Sequence, residues 1–158
     1  MVTNMLVFMD ESDDRFKAIQ YLSRRIEPTD QVKITLLTVL DFTLTPGAAR
    51  FERCRVQPKS RFSRWKALQG EFIIMKEVFE KANNVLTQVG VKGENISVKY
   101  KAKETGIVSD IVAEIEEGGY DTVVIGHKCL SKTRQFLTGS ICKGLVSRVS
   151  SACIWIVP

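Results

Sequence analysis

The sequence predicts a doubly wound, Rossmann-like α/β fold: a five-stranded parallel sheet in the order 3-2-1-4-5, with helices on both faces. Three observations lead there. Short apolar runs alternate with longer segments of 3–4 apolar spacing, the pattern of right-handed β-α-β crossovers. Two of the runs, Asn4 to Met9 and Asp121 to Ile125, are apolar almost throughout, as strands buried on both faces are. A third, Ile96 to Lys101, alternates apolar and polar residues, which suits an edge.

Each element can be justified in turn. After Asn4 to Met9, the polar residues Asp10, Glu11, Ser12 and Asp13 look like a strand end opening a helix. That helix carries Phe16, Ile19, Leu22 and Ile26 on one stripe and should stop before Pro28. Val32 to Leu40 reads as the second strand. Asp41 to about Ser63 shows no sustained period and contains Pro46, Gly47 and Pro58. A long helix is expected from about Gly70, with Phe72, Met75, Phe79, Ala82, Leu86 and Val89 on one face and Gly90 at its end. The alternating third strand follows, then a helix with Ile107, Ile111, Val112 and Ile115, closed by Gly118-Gly119. Asp121 to Ile125 is the fourth strand, Ser140 to Val149 a fourth helix, and Ala152 to Val157 the last strand. The expectation is a single domain over 1–158 with a basic loop insertion at about 41–66.

At 158 residues and 44% hydrophobic, the chain is long enough to bury a proper core. Its formal charge of +5 is local. Arg50, Arg53, Arg55, Lys59, Arg61, Arg64 and Lys66 stand against Glu52 alone, and the remainder of the chain is close to neutral. No apolar run approaches the roughly 18 residues of a membrane span, and no signal-peptide pattern is visible. Cys54, Cys129, Cys142 and Cys153 form no CxxC pair, so free thiols and a cytoplasmic location are expected. Phe51, Phe62 and Trp65 interleave with the basic residues. That pattern can bind single-stranded nucleic acid, or it can be a solvated insertion whose aromatics cover the sheet, or a lid beside an anion.

The order 3-2-1-4-5 has its switch point between the first and fourth strands, where open α/β sheets bind ligands. Asp10 and the residues after Ile125 fall there. The stretch Gly126-His127-Lys128-Cys129, nine residues, then Gly139-Ser140 is the informative one. Gly126 admits close approach of a ligand, and Gly139-Ser140 opens a helix whose free N–H groups suit an anion. The alternative is a plain strand end and a plain N-cap. His127, Cys129 and Cys142 match no standard zinc spacing, so no metal site is expected. A single histidine supports no Ser-His-Asp arrangement, and no Walker pattern exists, so no catalytic residue is assigned. The last strand, ACIWIV, is apolar on both faces yet falls at an edge, and it is expected to pair with its own copy in a two-fold homodimer through 152–157.

At these residues the chain resembles the universal stress protein family, over nearly its whole length. The spacing of Gly126, position 129 and Gly139-Ser140 looks like the family's glycine motif, and the strands ending in Asp10 and in Thr38-Val39 look like the family's as well. The resemblance implies the five-stranded doubly wound fold, dimerisation through the last strand, and ATP as a regulatory ligand in a stress response. Asp10 and Val39 would then contact the adenosine, and Gly126, Gly139, Ser140 and Ile141 would line the phosphate path. Lys128 would add charge, and Asp10 could help hold Mg²⁺. The chain departs from the motif at Cys129, where a side chain narrows the loop. Two readings follow: a nucleotide-binding protein, with at most a slow ATPase activity, or a dimeric signalling and interaction module of the same fold without nucleotide. Nucleic-acid binding through the basic loop is a third.

Overall fold

Strands that are apolar on both faces need a cover on each side, and the computed structural model supplies two. It describes residues 3–10, 15–27, 31–40, 62–126 and 140–158. Most of the expected basic loop and the stretch 127–139 lie outside them. In chain order the elements are β1 (Thr3–Phe8), α1 (Arg15–Arg25), β2 (Val32–Leu40), α2 (Phe62–Gln88), β3 (Ile96–Ala102), α3 (Ile107–Gly118), β4 (Thr122–Gly126), α4 (Ser140–Arg148) and β5 (Cys153–Val157). A short 3-10 turn, Gly93–Asn95, leads into β3. The five strands form one sheet in the order β3-β2-β1-β4-β5, and every adjacent pair is parallel. This is the order expected from the strand characters.

The side-chain period of two divides the sheet between two cores. Met5, Val7, Ile34, Leu36, Val124 and Val157 pack with Ala18, Ile19 and Leu22 of α1 and with Met75, Phe79, Ala82 and Leu86 of α2. Leu6, Phe8, Leu37, Val123 and Ile125 point the other way, onto Ile111, Val112 and Ile115 of α3 and Ile141 and Leu145 of α4. Leu6 and Val7 are fully buried, and each such side chain stabilises the fold by about 1.5–3 kcal/mol. A one-residue slip of β1 would exchange the two sets, so its register is strongly specified.

Two features differ from expectation. Helix α2 begins at Phe62, not near Gly70, so residues 62–66 of the expected loop are helical. Ala67, Leu68 and Gln69 are good helix formers and no proline interrupts the run, whereas Gly70 is merely a weak helix residue inside it. Val98 alternates in phase with Ile96 and Tyr100 but stays 42% exposed on the edge strand. Tyr100 itself lies under α2, with ring centroids 4.8 Å from Phe72 and 5.2 Å from Phe79. The remaining element ends move by one or two residues, as helix and strand termini do.

Polar groups lock α3 onto the edge of the sheet. Lys99 Nζ donates to Glu114 Oε1 at 2.6 Å, Lys101 Nζ lies 3.7 Å from Oε2, and the buried Tyr120 hydroxyl donates to Oε1 at 2.9 Å. The Glu114 bond raises the Lys99 ammonium above its ordinary range. At the other end of the sheet, Asn4 is held to the α3–β4 turn: its backbone N–H donates to Asp121 at 2.8 Å and its side-chain amide to the carbonyls of Gly118 and Gly119. Gly119 supplies the left-handed conformation (φ 59°) that ends α3.

Candidate functional site

The site follows from where the chain changes direction. β1 lies between β2 and β4, and Phe8 stands opposite both Leu37 and Ile125. From these neighbouring strand ends the helices leave to opposite faces, α1 toward one core and α4 toward the other. Open α/β sheets take their ligands at such a point, in a crevice outside the carboxyl ends of the strands.

Each tip is held in place. The Met9 amide extends the ladder by donating to the Leu37 carbonyl at 2.9 Å, and Asp10 follows at 7% exposure. On β2, Val39 is partly buried on the α3 side of the sheet, and the Leu40 carbonyl accepts the Lys103 amide at 2.8 Å. The β3–α3 turn beyond Lys103 is gathered around one side chain. The Asp110 carboxylate accepts the amides of Glu104 at 2.9 Å, Thr105 at 3.1 Å and Gly106 at 3.3 Å, and the Thr105 hydroxyl at 2.9 Å. Burial pushes the Asp110 carboxyl up, but these four bonds outweigh it and hold the group below the ordinary value. Gly106 takes φ 152°, which a side chain would resist.

On the other side of the crevice, Gly126 ends β4 opposite Val157. Its carbonyl accepts the Cys142 thiol, 3.5 Å away, which ties the first turn of α4 to the end of the strand. Burial pushes the Cys142 thiol up, so at neutral pH it is a protonated donor and not a thiolate nucleophile. Ile141 is 2% exposed and anchors the same turn in the core. The N-terminus of a helix, with its first-turn N–H groups and positive dipole end, is the kind of place that favours an anion.

Of the expected ligand residues, Asp10, Val39 and Gly126 therefore stand at the carboxyl ends of β1, β2 and β4, Ile141 lies in the first turn of α4, and Ser140 opens that helix. Lys128, Cys129 and Gly139, with His127, lie outside the described residues. The sequence reading missed Asp110 and the Cys142–Gly126 tie. Asp110 had a legible signal, an acid four residues after a Gly-containing turn; the thiol bond had none. Among the described residues no cluster of three or more His, Cys, Asp or Glu side chains could hold a metal ion, and no helix is long and apolar enough to cross a membrane.

Comparison with known proteins fits this layout. The model of the universal stress protein family matches residues 1–156. No curated protein sequence matches significantly. Among solved structures, the universal stress protein UspA from Lactobacillus plantarum superposes with a TM-score of 0.69 at 18% identity, over 99% of this chain and 97% of that one. The universal stress protein from Archaeoglobus fulgidus in complex with dAMP does so at 0.62 and 13% identity, over 100% and 98%. A universal stress protein family protein from Arabidopsis thaliana with AMP bound gives 0.62 at 15% identity, over 98% and 90%. At these identities the structures speak for the fold.

Proposed function

The chain belongs to the universal stress protein family, and from that premise we propose that it binds an adenine nucleotide as a regulatory ligand in a stress response. The observation that carries this reading is Asp10, 7% exposed and just past the end of β1, the strand that lies between β2 and β4 where the sheet order reverses. The two sides of the crevice differ in chemistry. A carboxylate accepts from ribose hydroxyls, and helix amides donate to phosphate. Val39 offers an apolar wall to the base. Asp10, Val39, Gly126, Lys128, Cys129, Gly139, Ser140 and Ile141 form the proposed ligand set. ATP is the ligand we put forward; Mg²⁺ would travel with it, and Asp10 is the carboxylate placed to share that ion. The complexes with dAMP and AMP among the structural relatives support an adenosine-shaped site in this fold. Cys142 and Cys153 are free thiols, which suits a cytoplasmic protein. Among the described residues β5 lies at an edge of the sheet, which suits a homodimer formed by antiparallel pairing of Cys153–Val157 with its own copy.

The test is direct. Purified protein is denatured and the supernatant assayed for ATP, ADP and AMP, and the refolded or ligand-free protein is titrated with Mg-ATP and with AMP by calorimetry. Bound nucleotide, or saturable heat below millimolar concentration, supports the reading. No binding of either nucleotide at millimolar concentration overturns it. The departure at Cys129 would then have closed the loop, and the dimeric interaction module of the same fold becomes the function.

A further inference from the structure

A nucleotide in the proposed site has to span residues that lie far apart in the chain. Asp10 and Val39 stand at the ends of β1 and β2, whereas Ser140 and Ile141 open α4. The two groups are joined through β4. Phe8 and Ile125 are register partners, so the sheet ladder fixes β4 to β1, and Gly126 is the last residue of β4. The placement of α4 against that strand end then decides the span.

Most of α4 is held by α3 and by the core. A Cβ added at Gly144 would meet Val108, Arg148 donates to Ser109 at 3.0 Å, and Ile141 and Leu145 are buried in the cluster that α3 shares with the sheet. Apolar contacts are non-directional and tolerate small slides of a helix over its neighbours. A hydrogen bond has a direction and a distance. The Cys142 thiol makes one from the first turn of α4, donating to the Gly126 carbonyl over 3.5 Å. The residue is 8% exposed, and burial raises its thiol, so the proton that the bond needs is present at neutral pH.

We propose that Cys142 is a positioning residue, whose bond to Gly126 sets the span between the adenosine side of the site, Asp10 and Val39, and its phosphate side, Ser140 and Ile141. The inference rests on the nucleotide reading and deepens it. Cys142 acts through the backbone of α4, and it governs how well phosphate is held once the adenosine is seated. Losing the bond should therefore weaken ligands that carry phosphate and spare adenosine. A thiol that only stabilised the fold would change both alike.

Calorimetry with Mg-ATP, AMP and adenosine tests this on the wild type and on Cys142→Ala, Cys142→Val and Cys142→Ser. Alanine leaves the place of the thiol empty and valine fills it, and neither can donate; serine can, with a shorter reach. Where adenosine is too weak for calorimetry, the amide shifts of Asp10 and Val39 are titrated with it by NMR. With circular dichroism retained, the alanine and valine variants should bind Mg-ATP and AMP about tenfold more weakly, the loss of one hydrogen bond. Adenosine should stay within about twofold of the wild type, and serine within about threefold for all three ligands. If the alanine variant does not fold, the valine variant carries the test. Unchanged phosphate ligands, an equal loss for adenosine, or a serine variant as weak as alanine overturns the positioning role and leaves the nucleotide reading standing. A wild type that binds neither Mg-ATP nor AMP at millimolar concentration overturns both.

Discussion

Two carboxylates at the carboxyl end of the sheet do different work, and each can be tested singly. Asp110 is satisfied from within: four donors of the β3–α3 turn converge on it. Because its folded pKa lies below the ordinary value of 3.8, its ionised form contributes stability above that pH, and the contribution fades as pH falls through the lowered folded value. Asp110→Asn should therefore cost about 1–3 kcal/mol at pH 7. Denaturant titrations of both proteins across pH 7 to 2 should show the gap closing only below about pH 4. A gap independent of pH would mean that shape, and not charge, holds the turn. Asp10 is placed at the crevice instead. Asp10→Ala should weaken adenine nucleotide binding by about 10- to 100-fold, the loss of a hydrogen bond to a charged acceptor. Unchanged calorimetric affinity would remove Asp10 from the ligand set.

Among the elements, α3 and α4 approach each other most closely where the chain has a glycine. A Cβ added at Gly144 would come 2.8 Å from Val108 Cγ1 and 2.9 Å from Cγ2. Both are short branched atoms on a packed helix, with little room to give way. Gly144→Ala should destabilise the fold by about 1–3 kcal/mol through overpacking, in spite of alanine's better helix propensity. Adding Val108→Ala should return most of that loss in a double-mutant cycle. An additive double mutant would show that the helices do not meet through this pair. The same contact bears on the proposed site, since it sets α4, whose first turn belongs to the proposed ligand set, against α3. Arg148, at the end of α4, fastens the same part of α3, donating to the Ser109 hydroxyl at 3.0 Å.

At the scale of the whole molecule, the described residues of the proposed site come from the ends of β1, β2 and β4 and from α4, so the site exists only in the folded sheet. A ligand bound there stabilises the folded chain by mass action. An adenine nucleotide at a hundred times its dissociation constant should add about 2.7 kcal/mol and raise the melting temperature by roughly 5–10 °C. Guanine nucleotides giving the same shift would argue against an adenine-selective site. Strand order, the two helix layers and the switch point were legible in the sequence. Met5 to Met9 is apolar throughout and Ile96 to Lys101 alternates, and these are local consequences of how many faces a strand buries. The candidate site was half legible: Asp10, Val39 and Gly126 announce themselves as strand ends, and Ser140 as a helix start. The early beginning of α2 was not, because Gly70 reads as a boundary when only local propensity is weighed.

What the sequence determined by itself is periodicity, since the alternation of side chains on a strand or a helix depends on neighbours a few residues away. What only the tertiary structure decided are the pairings across the chain. Glu114 reads as one acid among several in α3, and only the packing of that helix against β3 makes it the partner of Lys99, Lys101 and Tyr120. Cys142 reads as an ordinary core residue until α4 settles beside β4 and its thiol meets the Gly126 carbonyl. Such bonds form at fixed distances between residues that the linear order leaves apart, so their identity is set by how the layers dock and not by any local pattern.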